Sequence, residues 1–309
     1  MLREFKGLKG AKVVDGGIPG VIRYDPDVSE TSFETIDKLL VQYKMLPPRA
    51  PAKDVGKKKP ELKEMEVKYS DGAGGELVGY CIYKETQSKS KRPGLLVFPG
   101  PYGDGGGEHE RDVAREYARK GMVVFLPDYY PTRNSDTNYG QTLAAIAAYD
   151  GFLKDSERAQ EIAKLGYDQL AKSDMVDPNK ISAIGFCFGG AMTLNLARSG
   201  AKLLAAVSLH GEYPHLDTKV GNNGATGAYN TQHFVEMVGY ADPFIPEESR
   251  DAWVTELQGY TSGEDTTDKT FDFIVYGTSV HAFSIHYSET FLKVSLGPPT
   301  RRGSGGQKI

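Results

Sequence analysis

The fold turns on Ile181-Ser182-Ala183-Ile184-Gly185-Phe186-Cys187-Phe188-Gly189-Gly190, a strand-like apolar run that ends in a Gly-x-Cys-x-Gly turn. Ala191–Arg198 continues it as a helix. In a strand–turn–helix of this kind the central residue is forced into a strained conformation and its side chain projects at the end of the sheet. Small flanking residues let strand and helix approach closely, the part expected of Gly185 and Gly189. The helix N-terminus then points at the Cys187 thiol, and its partial positive charge favours the thiolate, the form that attacks. An isolated cysteine in an apolar strand, such as Cys81, reads as core filling instead.

Working outward from the turn, short apolar runs alternate with helical stretches. Glu64–Tyr69 and Leu77–Tyr83 flank the Ser70-Asp71-Gly72 turn as a hairpin. Leu95–Phe98 and Met122–Leu126 are continuous apolar runs, as expected of parallel strands buried on both faces. Between them lie the glycine-rich 99–107 and a helix to about Arg119. A long helical stretch is expected from about Gln141 to Lys172. Strands follow at Leu204–Leu209, Phe234–Val238 and Phe271–Tyr276, with helices near Arg250–Leu257 and Phe283–Val294. The alternation predicts an α/β fold with a mostly parallel sheet and helices on both faces.

Composition agrees with one large α/β domain: 309 residues, 39% hydrophobic and 25% charged. No apolar run has the length of a membrane span, and the start Met1-Leu2-Arg3-Glu4-Phe5-Lys6 has no signal-like stretch. Two cysteines make no disulfide framework, so a reducing, cytoplasmic setting is expected. Residues 1–60 carry 12 Lys/Arg against 8 Asp/Glu, with Lys53 and Lys57-Lys58-Lys59 the densest patch. No aromatics interleave it, and prolines 47, 48, 51 and 60 mark linker chemistry rather than a nucleic-acid face. The expected division is therefore an N-terminal extension and Pro/Lys-rich linker over 1–60, with a short helix near 32–40, a catalytic domain over 61–296 and a flexible tail over 297–309.

The elbow Gly185-Phe186-Cys187-Phe188-Gly189-Gly190 closely resembles that of dienelactone hydrolases, cysteine enzymes of the α/β-hydrolase fold. Two further segments extend the resemblance. Gly239-Tyr240-Ala241-Asp242-Pro243-Phe244 looks like the family's acid-bearing loop, which makes Asp242 the matching acid. Tyr276-Gly277-Thr278-Ser279-Val280-His281-Ala282-Phe283 resembles the segment with the catalytic histidine, which makes His281 the matching base. The chain order nucleophile, acid, histidine is the one α/β-hydrolases use. The resemblance spans about 62–296 and implies an esterase or lactonase that works through a Cys187-His281-Asp242 triad and a thioester, with no cofactor and no metal. His109, His210, His215, His233 and His286 lack a recognised metal-ligand spacing. The glycine-rich 99–107 lacks both phosphate-binding patterns and reads as an oxyanion loop.

Two positions depart from the family's pattern. Where the family has a glutamate followed by an oxyanion donor, this chain has Gly100 and Pro101, and proline has no N–H. The expected donors are thus the Phe188 N–H and, by a shifted register, the Tyr102 N–H. Where dienelactone-specific members carry an arginine four residues past the histidine, this chain has Ile285. Arg133 is the candidate replacement for binding substrate, and a neutral ester or lactone of modest size is the expected substrate. No nucleic acid or membrane is expected as a partner, and oligomeric state is open. A non-catalytic binding protein and an acyl or peptide hydrolase are alternatives on the same scaffold.

Overall fold

The computed structural model describes residues 2–4, 12–14, 20–25, 61–101, 107–130, 155–213, 229–261, 269–277 and 279–284. The strands are β1 Leu2–Glu4, β2 Lys12–Val14, β3 Gly20–Asp25, β4 Leu62–Ser70, β5 Glu76–Lys84, β6 Arg92–Phe98, β7 Val123–Leu126, β8 Val176–Phe186, β9 Leu203–Leu209, β10 Thr231–Gly239 and β11 Thr270–Tyr276. The helices are α1 Glu108–Arg119, α2 Ser156–Ala171, α3 Phe188–Arg198 and α4 Glu247–Thr261. All strands join one sheet in the order β1-β2-β3-β11-β10-β9-β8-β6-β7-β5-β4.

The centre of that sheet, from β7 to β3 through β6, β8, β9, β10 and β11, is parallel. Antiparallel pairs close both edges, β4 and β5 at one and β1 and β2 at the other. Apolar strands explain the arrangement: Leu95, Leu96, Val97 and Phe98 are all buried, as are all four residues of β7, because helices cover both faces. Burial of each such large side chain contributes about 1.5–3 kcal/mol. One core layer holds Val113, Ala114 and Tyr117 of α1; the opposite layer holds Ile162 of α2, Met192 of α3 and Trp253 of α4. The mostly parallel sheet with helices on both faces is thus present as expected.

A buried polar knot fastens the second layer. Arg198 at the end of α3 is fully buried; its Nε lies 3.0 Å from Glu256 Oε1 on α4, and its Nη1 donates to Ser156 Oγ of α2 at 3.0 Å. Ser156 in turn donates to Asn195 Oδ1 at 2.7 Å. Three helices therefore meet at one guanidinium, whose fork-like donors suit such a junction.

Several boundaries differ from the sequence reading. α3 starts at Phe188, directly after the cysteine, rather than at Ala191, because the glycines at 189 and 190 weaken helix propensity without forbidding a turn packed on β6. α2 begins at Ser156 rather than within one helix from about Gln141, because Asp155 is non-helical and caps it by accepting the Arg158 N–H at 3.0 Å; residues 141–154 lie outside the described residues. The strands β1–β3 were not foreseen: their residues fall in the expected extension, yet β3 pairs in parallel with β11. The helix near 32–40, the Lys-rich linker, Tyr102, Arg133, Ile285 and the tail lie outside the described residues.

Candidate active site

In an open parallel sheet, strand carboxyl ends and the loops beyond them form the binding crevice. Here β6, β8, β9, β10 and β11 deliver Phe98–Pro101, Cys187, His210, Asp242 and His281 to the same end. Cys187 adopts φ +55°, ψ −124°, a left-handed conformation that costs an ordinary residue about 1–3 kcal/mol. Glycine is required on either side of it. A Cβ on Gly185 would collide with the Gly189 carbonyl, and one on Gly189 with the Phe98 carbonyl. The first-turn N–H groups of α3 face the turn, and those of Gly190 and Ala191 donate to the Cys187 carbonyl at 2.8 and 3.3 Å.

The three residues that the family resemblance singled out lie together. His281 Nε2 is 3.1 Å from Cys187 Sγ, and its Nδ1 is 2.8 Å from Asp242 Oδ2. Asp242 is buried, and its second oxygen accepts the Phe244 N–H at 2.9 Å, so both carboxylate oxygens are engaged. Burial works against a charged His281, but its hydrogen bonds to Asp242 and Cys187, together with their charges, outweigh it and raise the imidazole to about 10. The imidazole is thus built to hold a proton. Backbone bonds keep the acid and histidine loops in register: Tyr240 N–H donates to Tyr276 O at 2.9 Å and Ala241 N–H to Ser279 O at 3.0 Å. Arg250 Nη1 adds bonds to the carbonyls of Tyr240 and Ile245 at 3.2 and 3.3 Å.

The loop after β6 is held from several sides. Tyr129 and Tyr130 donate through their hydroxyls to the carbonyls of Pro99 and Pro101, at 2.9 and 3.1 Å. Burial pushes the Tyr129 phenol well up, so it remains a donor. Asp128 fixes that pair of tyrosines by accepting both their N–H groups at Oδ1. Glu110 of α1, buried, accepts the Gly100 N–H at 3.2 Å. That N–H is thereby committed to Glu110.

Sequence reasoning missed Glu110 and His210. His210 is fully buried at φ +42°, accepts the Cys187 N–H at Nδ1 (3.0 Å), and has Nε2 2.8 Å from Ser284 Oγ. The only signal in the sequence was a histidine directly after an apolar strand, which is weak by itself. Cys81, expected as core filling, is buried on β5, where burial pushes its thiol up to about 11. No group of His, Cys, Asp or Glu able to hold a metal occurs among the described residues. No helix among them is long and apolar enough to cross a membrane.

The apolar surface at this end has a matching location. Phe244 and Val280 are 59% and 57% exposed, and the Phe244 ring stands 4.8 Å from that of His281. Large apolar side chains left in water beside the Cys187–His281 pair are a place for the apolar part of a ligand.

Known proteins resemble this chain in family and fold. The dienelactone hydrolase family model matches residues 78–295. A Bradyrhizobium protein named a probable 2-oxo-3-(5-oxofuran-2-ylidene)propanoate lactonase is 25% identical over 210 residues, which cover 66% of this chain and 78% of that one. An Escherichia coli protein assigned as a carboxymethylenebutenolidase is 22% identical, with 67% of this chain and 73% of its own covered. Among solved structures, a dienelactone hydrolase-like promiscuous phosphotriesterase from metagenomic libraries superposes with a TM-score of 0.60 at 26% identity, over 74% of this chain and 92% of that one. An acylaminoacyl peptidase shares the fold alone, at 16% identity and a TM-score of 0.53, over 74% of this chain and 39% of that one. With its sheet, its elbow and a family match over most of its length, the chain belongs to the dienelactone hydrolase family of carboxylic ester hydrolases on the α/β-hydrolase fold.

Proposed function

We propose that the chain hydrolyses small, uncharged carboxylic esters or lactones through a thioester on Cys187. The observation that carries this reading is the continuous line Cys187 Sγ, His281, Asp242, with contacts of 3.1 and 2.8 Å. His281 holds the thiol proton as an imidazolium beside the Asp242 carboxylate, and the Cys187 thiolate paired with it adds to the carbonyl carbon. The tetrahedral oxyanion lies at the N-terminus of α3, where the Phe188 N–H is the leading donor; such a donor is worth roughly 2.7–4 kcal/mol in the transition state. Collapse expels the alkoxide, which receives the proton from His281. Water, deprotonated by the same imidazole, then attacks the thioester and frees the acid and the thiol.

Support for an uncharged substrate comes from both loops. The position where dienelactone-specific enzymes carry a carboxylate-binding arginine is Ile285, and Phe244 and Val280 present apolar surface beside His281. Tyr102 as second oxyanion donor and Arg133 as substrate contact rest on the sequence alone. The deciding experiment measures p-nitrophenyl acetate hydrolysis by the wild type and Cys187→Ala, with mass spectrometry for an acetyl adduct. Loss of activity in the variant and an acetyl group on Cys187 are expected. Equal rates without an adduct would overturn the reading.

A further inference from the structure

We propose that His210 is a positioning residue of this centre: one neutral imidazole that ties the turn carrying Cys187 to the loop carrying His281. The proposal rests on the Cys187–His281 chemistry above and adds a residue to it. Nδ1 of His210 faces the Cys187 N–H at 3.0 Å and so must act as an acceptor. The proton of the neutral ring then sits on Nε2, which donates to Ser284 Oγ at 2.8 Å. A second proton on the ring would set Nδ1–H against the Cys187 N–H, and full burial disfavours that charge.

The two contacts reach opposite members of the catalytic pair. Cys187 N–H also donates to Leu209 O at 3.0 Å, so the end of β9 and the first residue past it grip the strained turn together. Ser284 is three residues beyond His281 in a segment that passes through Ala282 at φ +62°. Its hydroxyl anchors that segment to the same ring. His210 is itself fastened, since its N–H donates to Met237 O of β10 at 2.7 Å, and its ring packs edge-on against His281 and Phe283 with centroids 5.1 and 5.3 Å apart. The Sγ to Nε2 separation is therefore set by strands β8, β9 and β10 through one side chain. A displacement of about 1 Å between reacting groups costs on the order of 10²-fold in rate, which makes such a tie functional.

The test compares His210→Asn, His210→Gln and Ser284→Ala with the wild type and Cys187→Ala on p-nitrophenyl acetate, with melting temperatures for each. Asn puts an acceptor where Nδ1 stands and tolerates a left-handed backbone, whereas the Gln amide reaches towards Ser284 but leaves the Cys187 N–H without the ring. We expect His210→Gln to lose roughly tenfold to 10²-fold in kcat with KM unchanged, and His210→Asn to recover most of that loss. Ser284→Ala should lose severalfold in kcat alone. For the case in which His210→Gln does not fold, 15N spectra of wild-type imidazoles give a separate reading, with Nδ1 of His210 bare and Nε2 protonated. Wild-type kcat in both His210→Gln and Ser284→Ala, or a protonated Nδ1, would overturn the proposal. Full activity in Cys187→Ala would instead overturn the mechanism on which it rests.

Discussion

The two cysteines of this protein have the same side chain and opposite surroundings. Cys81 lies in a straight strand, between Met65 of β4 and Phe125 of β7, and contributes to a core layer. Cys187 sits at a left-handed backbone position, half-buried, at the start of a helix and 3.1 Å from an imidazole. Burial lifts the Cys81 thiol to about 11, although Arg92 pulls slightly the other way. Residue type is held constant, so on the proposed mechanism the difference in reactivity comes from the backbone turn and the partners it admits.

Alkylation gives the largest expected difference. At pH 7 a thiol near 11 is ionised to only about one part in 10⁴, and the thiolate is the species that reacts. Iodoacetamide followed by peptide mapping should therefore modify Cys187 at least about 10³-fold faster than Cys81 in the folded protein. Similar rates would break the comparison at its root.

Next in size is Asp242→Asn. It keeps the shape of the acid loop but removes the partner that fixes the His281 tautomer and steadies its charge, a change expected to lower kcat by roughly 10³–10⁴-fold. The same variant tests the histidine by stability. His281 is raised from 6.5 to about 10 by its partners, so its contribution to folding is fully present below pH 6.5 and is lost as pH rises through about 10. Denaturant midpoints should fall over that window in the wild type and fall less in Asp242→Asn. A wild-type midpoint flat from pH 6.5 to 10 would contradict the raised imidazole.

Gly185→Ala should come third. The added methyl meets the Gly189 carbonyl and Thr193 Oγ1, backbone and a packed side chain with little room to move. A loss of about 1–3 kcal/mol in unfolding free energy is expected, together with reduced alkylation of Cys187 as the turn shifts. Unchanged stability and unchanged alkylation would show that the turn does not depend on glycine there.

How far the sequence revealed this contrast follows from distance along the chain. The elbow was legible because its requirements are local: glycines at 185 and 189, an apolar run before and a helix after. Asp242 and His281 were found as members of recognisable segments, and the fold brings both to Cys187. Glu110 and His210 were not found, because what they do exists only after folding. Glu110 accepts a loop N–H ten residues back, and His210 accepts an N–H 23 residues back at the end of a neighbouring strand. No periodicity or spacing encodes such encounters. β3 escaped for a different reason. Its Gly-Val-Ile-Arg-Tyr-Asp is short, lies in a stretch rich in charge and glycine, and becomes a strand by pairing with β11.

Cys81→Ala is the smallest of these effects and the finest test of the contrast. The substitution removes one buried sulfur from a position flanked by Tyr80 and Ile82, and the surrounding core has side chains on three strands that can close partly around the gap. About 1 kcal/mol of stability should be lost, as for deletion of a single buried methyl-sized group. Hydrolysis should not change, because Cys81 lies on β5, which is separated from β8 by β7 and β6. Urea unfolding and p-nitrophenyl acetate turnover on the same preparation measure both quantities. A drop in kcat without a change in stability would mean that the second thiol takes part in the chemistry, and the division between a structural and a reactive cysteine would have to be abandoned.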